Sequence, residues 1–165
     1  MNQPRPATRA DMPRVLELIN ELAVFEKEPN AVEVTLEMLE SDGFGGIPKF
    51  TCFVIEENGR VEGMALVYKR YSTWKGEVLH LEDLIVSQSH RGKNLGTKLL
   101  DAVVHYGKTL GVKRISWEVL DWNEPAIVFY EKKGANVMRE WDGVQLNEKG
   151  INKYLDNIKP IMHFE

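Results

Sequence analysis

The sequence predicts an α/β or α+β fold with one mixed sheet. Three observations carry this. Phe50 to Glu57, Arg60 to Tyr71 and Glu77 to Val86 are apolar segments of strand length, rich in Val, Ile and Leu. Asn58-Gly59 joins the first two as a two-residue hairpin turn, because both positions accept positive φ. Amphipathic helical stripes lie on either side of these strands, without strict strand–helix alternation. At 165 residues, 43% apolar and 28% charged, the composition is that of one globular domain spanning 1–165 rather than a disordered chain.

In chain order, a first helix starts near Asp11 with Pro13 in its first turn, and Val15, Leu16, Ile19, Leu22 and Ala23 share one face. Thr35 caps a short helix over Leu36 to Ser41, and Gly43, Gly45, Gly46 and Pro48 make a loop. After the three strands comes a helix with Leu95, Leu99, Ala102, Val103, Tyr106 and Leu110 on one stripe, stopped by Gly111. Arg114 to Leu120 reads as a strand, and Pro125 to Lys133 as a helix capped by Asn123 and stopped by Gly134. Asn136 to Trp141 and Val144 to Leu146 are candidate late strands, and Asn147 to Ile158 a candidate last helix.

A single cysteine, Cys52, leaves no internal disulfide and no cysteine-built metal or cluster site, and the four histidines are too scattered for a metal motif. No apolar run reaches membrane-spanning length, and the N-terminal stretch has no apolar signal core. The reading is of a reduced, soluble, cytoplasmic protein. A net charge of −4 argues against general nucleic-acid binding. The charge is uneven. Residues 1–50 hold five Lys or Arg and nine Asp or Glu, whereas Ser87 to Leu100 holds Arg91, Lys93 and Lys98 and no acid. Solvated surface explains that equally with two binding surfaces, one for an anion and one for a cation.

Leu79 to Leu100 is the most informative stretch. A strand passes through a basic, glycine-containing loop into a helix. Unpaired amides at a helix N-terminus, glycines that let the backbone approach closely, and the charges of Arg91 and Lys93 together suit a pyrophosphate. A merely structural connection is the alternative, since the loop is neither a P-loop nor GxGxxG. Glu82 and Asp83 interrupt the apolar strand VLHLEDLIV, and plain alternation sends one carboxylate to each face. They read as a strand end or ion pair, or as a proton acceptor (Glu82) and a cation-binding group (Asp83). Tyr130, in AIVFYEKKGA, reads as a core aromatic or as a phenol able to donate a proton to a leaving group. Asn123 is by default a helix cap. Tyr71, Trp74, Glu26 and Glu28 are by default surface residues, and an aromatic–acidic set of this kind also suits an alkylammonium.

Together these segments resemble the GNAT superfamily of N-acetyltransferases. Arg91-Gly92-Lys93-Asn94-Leu95-Gly96 resembles its acetyl-CoA loop, departing at Asn94, where the family usually has Gly. Asn tolerates left-handed backbone best among non-glycine residues, so the turn is expected to survive. ELAVFEKEP, DGFG, YSTWKGEVLHLEDLIV, HRGKNLG, VLDWNEPAIVFYEKKGA and their order are similar to the diamine (spermidine/spermine) and thialysine acetyltransferases, with YSTWKG favouring the thialysine-like branch. The resemblance implies a central mixed, mostly antiparallel twisted sheet flanked by helices, acetyl-CoA as co-substrate with no metal, a small-molecule amine as acceptor, and a homodimer. It implies that Ile85, Val86 and Arg91 to Gly96 bind the pantetheine and pyrophosphate, and that Asn123 and Tyr130 also meet the coenzyme. Tyr130 would protonate the departing thiolate, Glu82 would act as base, directly or through water, and Glu26, Trp74, Glu82 and Asp83 would line the amine pocket. The amine would attack the thioester directly. Cys52 as an acyl carrier, a protein or peptide acceptor, and a non-catalytic acyl-CoA or polyamine binder are the alternatives.

Overall fold

A computed structural model describes residues 2–156. The chain forms two compact units, one running through Leu120 and one beginning at Asp121. In the first unit, β1 (Arg5–Pro6) leads through a 3-10 turn to α1 (Met12–Phe25) and α2 (Leu36–Phe44). Strands β2 (Thr51–Glu57), β3 (Arg60–Ser72) and β4 (Gly76–Val86) follow, then α3 (Leu95–Leu110) and β5 (Ile115–Ser116). The sheet runs β1-β2-β3-β4-β5, antiparallel except for the parallel β4–β5 pair, which is the mixed sheet the sequence predicts.

Local chemistry explains the element ends. Thr35 accepts a hydrogen bond from the Met38 amide at 3.2 Å and caps α2, which continues three residues past the expected Ser41. Asn58 and Gly59 both take positive φ, 53° and 79°, as the hairpin requires. Met12, Val15 and Leu18 of α1 and Leu39 of α2 pack on Cys52, Val54, Met64, Leu66 and Ile85 of the sheet. Leu95, Leu99, Leu100 and Val103 bury the inner stripe of α3, and Phe53 meets Tyr106 edge-on at 5.4 Å. A Cβ at Gly107 would lie 2.8 Å from Ile115 Cδ1, so the close approach of α3 to β5 needs glycine there.

Two bulges break the ladders. Between β2 and β3 the extra residue is Glu62, and between β3 and β4 it is Glu82, which lies between Leu81 (opposite Val67) and Asp83 (opposite Leu66). The predicted strand Arg114 to Leu120 is only Ile115–Ser116, so β4 from Leu81 onward has no β5 partner and the sheet opens there.

The second unit holds α4 (Glu124–Lys132) and α5 (Glu148–Leu155). Asn123 caps α4 by accepting from the Ala126 amide at 3.4 Å, and Gly134 follows the helix with φ 86°. The expected strands at Asn136 to Trp141 and Val144 to Leu146 do not form. Among the described residues no strand pairs with them, and Val144, Trp141 and Met138 are exposed, so extended backbone there would leave its amides to water. Asn147 caps α5 by accepting from the Gly150 amide at 2.8 Å, and the final residues of the expected helix, 157–158, lie outside the described residues.

Candidate active site

The bulge decides where the carboxylates point. Plain alternation would separate Glu82 from Asp83. Asp83 instead lies opposite Leu66, whose side chain packs on the α1 face, while Glu82 approaches His80 (Nε2 to Oε2 3.7 Å) and Tyr68, which lies on the same face as Leu66 two residues along β3. The extra residue therefore swings both carboxylates to one side, and the expectation of one per face is corrected. Glu26, the residue that closes α1, faces the same group.

Three carboxylates converge, and the charges of Arg70 and Glu118 act on the neighbouring Tyr68 and His80. Burial, then the charges of Glu82 and Glu26, lift the Asp83 carboxyl to about 6. Burial also raises Glu26. Glu82 is the open member, with its side chain 54% exposed, so it meets water directly. His80 is nearly buried, and that burial lowers its pKa and keeps its ring neutral near pH 7. Its Nδ1 lies 3.1 Å from Ser116 Oγ. Burial, and then the neighbouring Glu82 charge, raise the Tyr68 phenol and keep it protonated. Neither Tyr68 nor His80 was singled out from sequence. Both are ordinary strand residues until the bulge turns Glu82 toward them.

After β4 the chain passes a 3-10 turn (Gln88–His90) and reaches the basic loop. Gly92 and Asn94 hold φ of 78° and 63°, so Asn94 does take the left-handed conformation expected of it. This turn leads directly into the first amides of α3. They have no intrahelical acceptor, and no acid lies in the first turn to compete for them. Gly92, Lys93 and Asn94 are exposed and Gly96 half-buried, and nothing lies within 4 Å of the position a Gly92 Cβ would take. The donor set suits the pyrophosphate of a coenzyme. Arg91 donates from Nε to the Val86 carbonyl at 3.3 Å and lies 4.9 Å over the Phe25 ring at the end of α1. Leu95 and Ile85 are 3% exposed, while Val86 is half-buried.

Trp74 is not in the acidic group of its own chain. It sits 82% exposed in the β3–β4 turn, and Glu82 lies six residues beyond Gly76, about 20 Å along the strand. Cys52 is buried, and burial followed by the Asp11 and Asp83 charges pushes its thiol up to about 12, which removes it as a nucleophile. In the second unit, Tyr130 is buried in α4 with its ring 5.2 Å from Phe129, and burial raises its phenol, so it carries its proton at neutral pH.

The family profile of the acetyltransferase (GNAT) family matches residues 13–135. A thialysine N-epsilon-acetyltransferase of Bos taurus is 36% identical over 147 residues, covering 84% of this chain and 86% of that protein. A spermidine/spermine N(1)-acetyltransferase-like protein of Homo sapiens is 33% identical over 161 residues, covering 93% of this chain and 23% of that protein. Among solved structures, an integron cassette protein of V. cholerae shares the fold with a TM-score of 0.76 at 22% identity, covering 93% of this chain and 96% of that one. With the profile spanning most of the chain and a relative aligned nearly end to end, this chain belongs to the acetyltransferase (GNAT) family and is an acyltransferase.

Proposed function

We propose that this protein moves an acetyl group from acetyl-CoA to a primary amine of a small polyamine, diamine or thialysine-like amino acid. The observation that carries the reading is the convergence of Glu26, Glu82 and Asp83 on one face of the sheet, where β4 has lost its β5 partner. A cluster of acids sharing one face favours a cation, and an acceptor with more than one positive group suits it best. Relatives named for thialysine and for spermidine/spermine acetylation support that class.

In this reading Arg91 to Gly96 bind the coenzyme pyrophosphate through main-chain amides and the Arg91 and Lys93 charges. The Ile85 and Val86 main chain borders its pantetheine, and Asn123 meets the coenzyme farther along. An alkylammonium with pKa near 10.4 is neutral in roughly one molecule per ~10³ at pH 7, a cost of about 4–5 kcal/mol. Glu82, open to solvent, takes the ammonium proton through water, while Asp83 and Glu26 hold positive charge on the acceptor. The freed nitrogen lone pair forms a C–N bond with the thioester carbonyl carbon. Amides of β4 near Ile85, on the side left open by β5, donate to the oxyanion. The nitrogen then gives its second proton to solvent, the oxyanion reforms the carbonyl as the C–S bond breaks, and the Tyr130 phenol gives its proton to the leaving thiolate and regains one from solvent. Positioning the two reactants supplies much of the remaining acceleration.

The profile match crosses the boundary at Leu120, which supports reading 1–165 as one acetyltransferase domain. The same reading includes a homodimer, which the resemblance to the diamine and thialysine acetyltransferases implies. Among the described residues no helix is long and apolar enough to cross a membrane, and the lone buried Cys52 suits a reducing cytoplasm. Incubating the protein with acetyl-CoA and a panel of amines, and following free thiol, tests the reading. Release with diamines, polyamines or thialysine is expected. Release only with lysine peptides would overturn the small-amine assignment.

A further inference from the structure

The second bulge residue, Glu62, lies outside the site described above. It is 4% exposed near the start of β3, and its carboxylate joins three parts of the fold. Arg14 of α1 donates to Oε2 at 3.0 Å while its Nε donates to the Val61 carbonyl at 2.9 Å. From the end of β4, the Ser87 hydroxyl donates to Oε2 at 2.7 Å and the Ser87 amide to the Glu62 carbonyl at 2.8 Å. His90, the residue before Arg91, brings Nδ1 to 3.6 Å from Oε2, 3.2 Å from Ser87 Oγ and 2.9 Å from Ser89 Oγ. Burial alone would raise the Glu62 carboxyl, but the Ser87 and Arg14 hydrogen bonds and the His90 and Arg14 charges outweigh it and hold the group ionised.

The bulge has a geometric purpose here. Without the extra residue, position 62 would fall in ordinary alternation and the carboxylate would not sit under the Ser87–His90 turn. That turn is the only covalent path from β4 into Arg91 to Asn94, where two positive φ angles lead into the α3 amides. We infer that Glu62 is a positioning residue for coenzyme binding: through Ser87 and His90 it fixes the entry of the Arg91–Asn94 loop while Arg14 anchors it to α1. This rests on the reading that the loop holds the coenzyme. A hydrogen bond to a charged group contributes about 1.5–3 kcal/mol, so losing it while the loop stays folded should weaken coenzyme binding about tenfold or more.

The test is a calorimetric titration of CoA into the full chain, with Tm and amine KM measured alongside. Ser87→Ala deletes only the loop arm, and Glu62→Gln keeps the volume while removing the charge. The network borders a polar cavity of about 410 Å³, so the amide of Glu62→Gln has space to be solvated. Both variants should raise the CoA Kd about tenfold and leave amine KM within twofold. The Ser87→Ala/Glu62→Gln double variant should be no weaker than the worse single one, because both act through one bond. Val78→Ala, a core change at the far end of β4 opposite Arg70, should lower Tm and leave CoA Kd unchanged. An unchanged CoA Kd in Ser87→Ala would overturn the inference, and so would a rise that tracks Tm across all variants, Val78→Ala included. If Glu62→Gln does not fold, Ser87→Ala decides alone. Arg91→Ala separates the two claims: should it too leave CoA binding intact, the coenzyme reading itself fails, whereas loss in Arg91→Ala with none in Ser87→Ala sinks only the role of Glu62.

Discussion

Burial beside Glu82 and Glu26 lifts the Asp83 carboxyl from its ordinary 3.8 to about 6. The folded state therefore holds this proton more tightly than the unfolded chain, and stability falls as pH rises through the window from about 4 to 6, the cost being complete above it. Asp83→Asn removes that cost, so Tm at pH 7.5 should rise by roughly 6–12 °C. The same variant loses a charge that binds the acceptor, so amine kcat/KM should fall about 10- to 100-fold. The acidic limb of the kcat/KM profile near pH 6 should vanish with it. A lower Tm with unchanged kcat/KM would separate Asp83 from the acceptor. Tyr130→Phe should lower kcat about 10²-fold with CoA affinity unchanged, measured by initial rates and titration. Cys52→Ala should keep its turnover, because a buried thiol raised to about 12 carries no acyl group; loss of activity without loss of fold would restore the acyl-enzyme alternative.

At the scale of elements, backbone conformation rather than side-chain charge shapes the site. Asn94 is left-handed at φ 63°, so Asn94→Gly should leave CoA affinity within about twofold, while a β-branched Asn94→Val carries strain of order 1–3 kcal/mol and should weaken it about tenfold or more. Equal affinity in both variants would show that the turn does not aim the amides. The sequence made this loop legible, because a basic, glycine-bearing link between strand and helix has local physical signals. The Asn-Gly hairpin and the Thr35 and Asn123 caps were legible for the same reason. The bulges were not. Glu62 interrupts the apolar run of β3 as visibly as Glu82 and Asp83 interrupt β4, yet periodicity alone assigns no extra residue, so both carboxylates of β4 appeared to face opposite ways. The brevity of β5 was hidden likewise, since apolar residues after Ser116 suit a strand whether or not β4 remains close enough to pair.

For the whole molecule, opposite charges are segregated by function. The acidic first third supplies Glu26 at the end of α1, and the acid-free basic stretch 87–100 supplies the helix entry. Arg91 over Phe25 brings the two regions side by side, so in the proposed reading coenzyme anion and acceptor cation would meet neighbouring surfaces. Arg5 holds the opposite edge, pairing with Asp11 at 2.8 Å and with Glu56, and keeps the Asp11 carboxyl well below the usual range. The claim on which the account turns is that main-chain amides, rather than a basic side chain alone, grip the coenzyme diphosphate. A crystal structure with CoA measures this directly: pyrophosphate oxygens should lie about 3 Å from amide nitrogens between Gly92 and Gly96, and density for the diphosphate elsewhere on the molecule, with those amides turned to solvent, would contradict it.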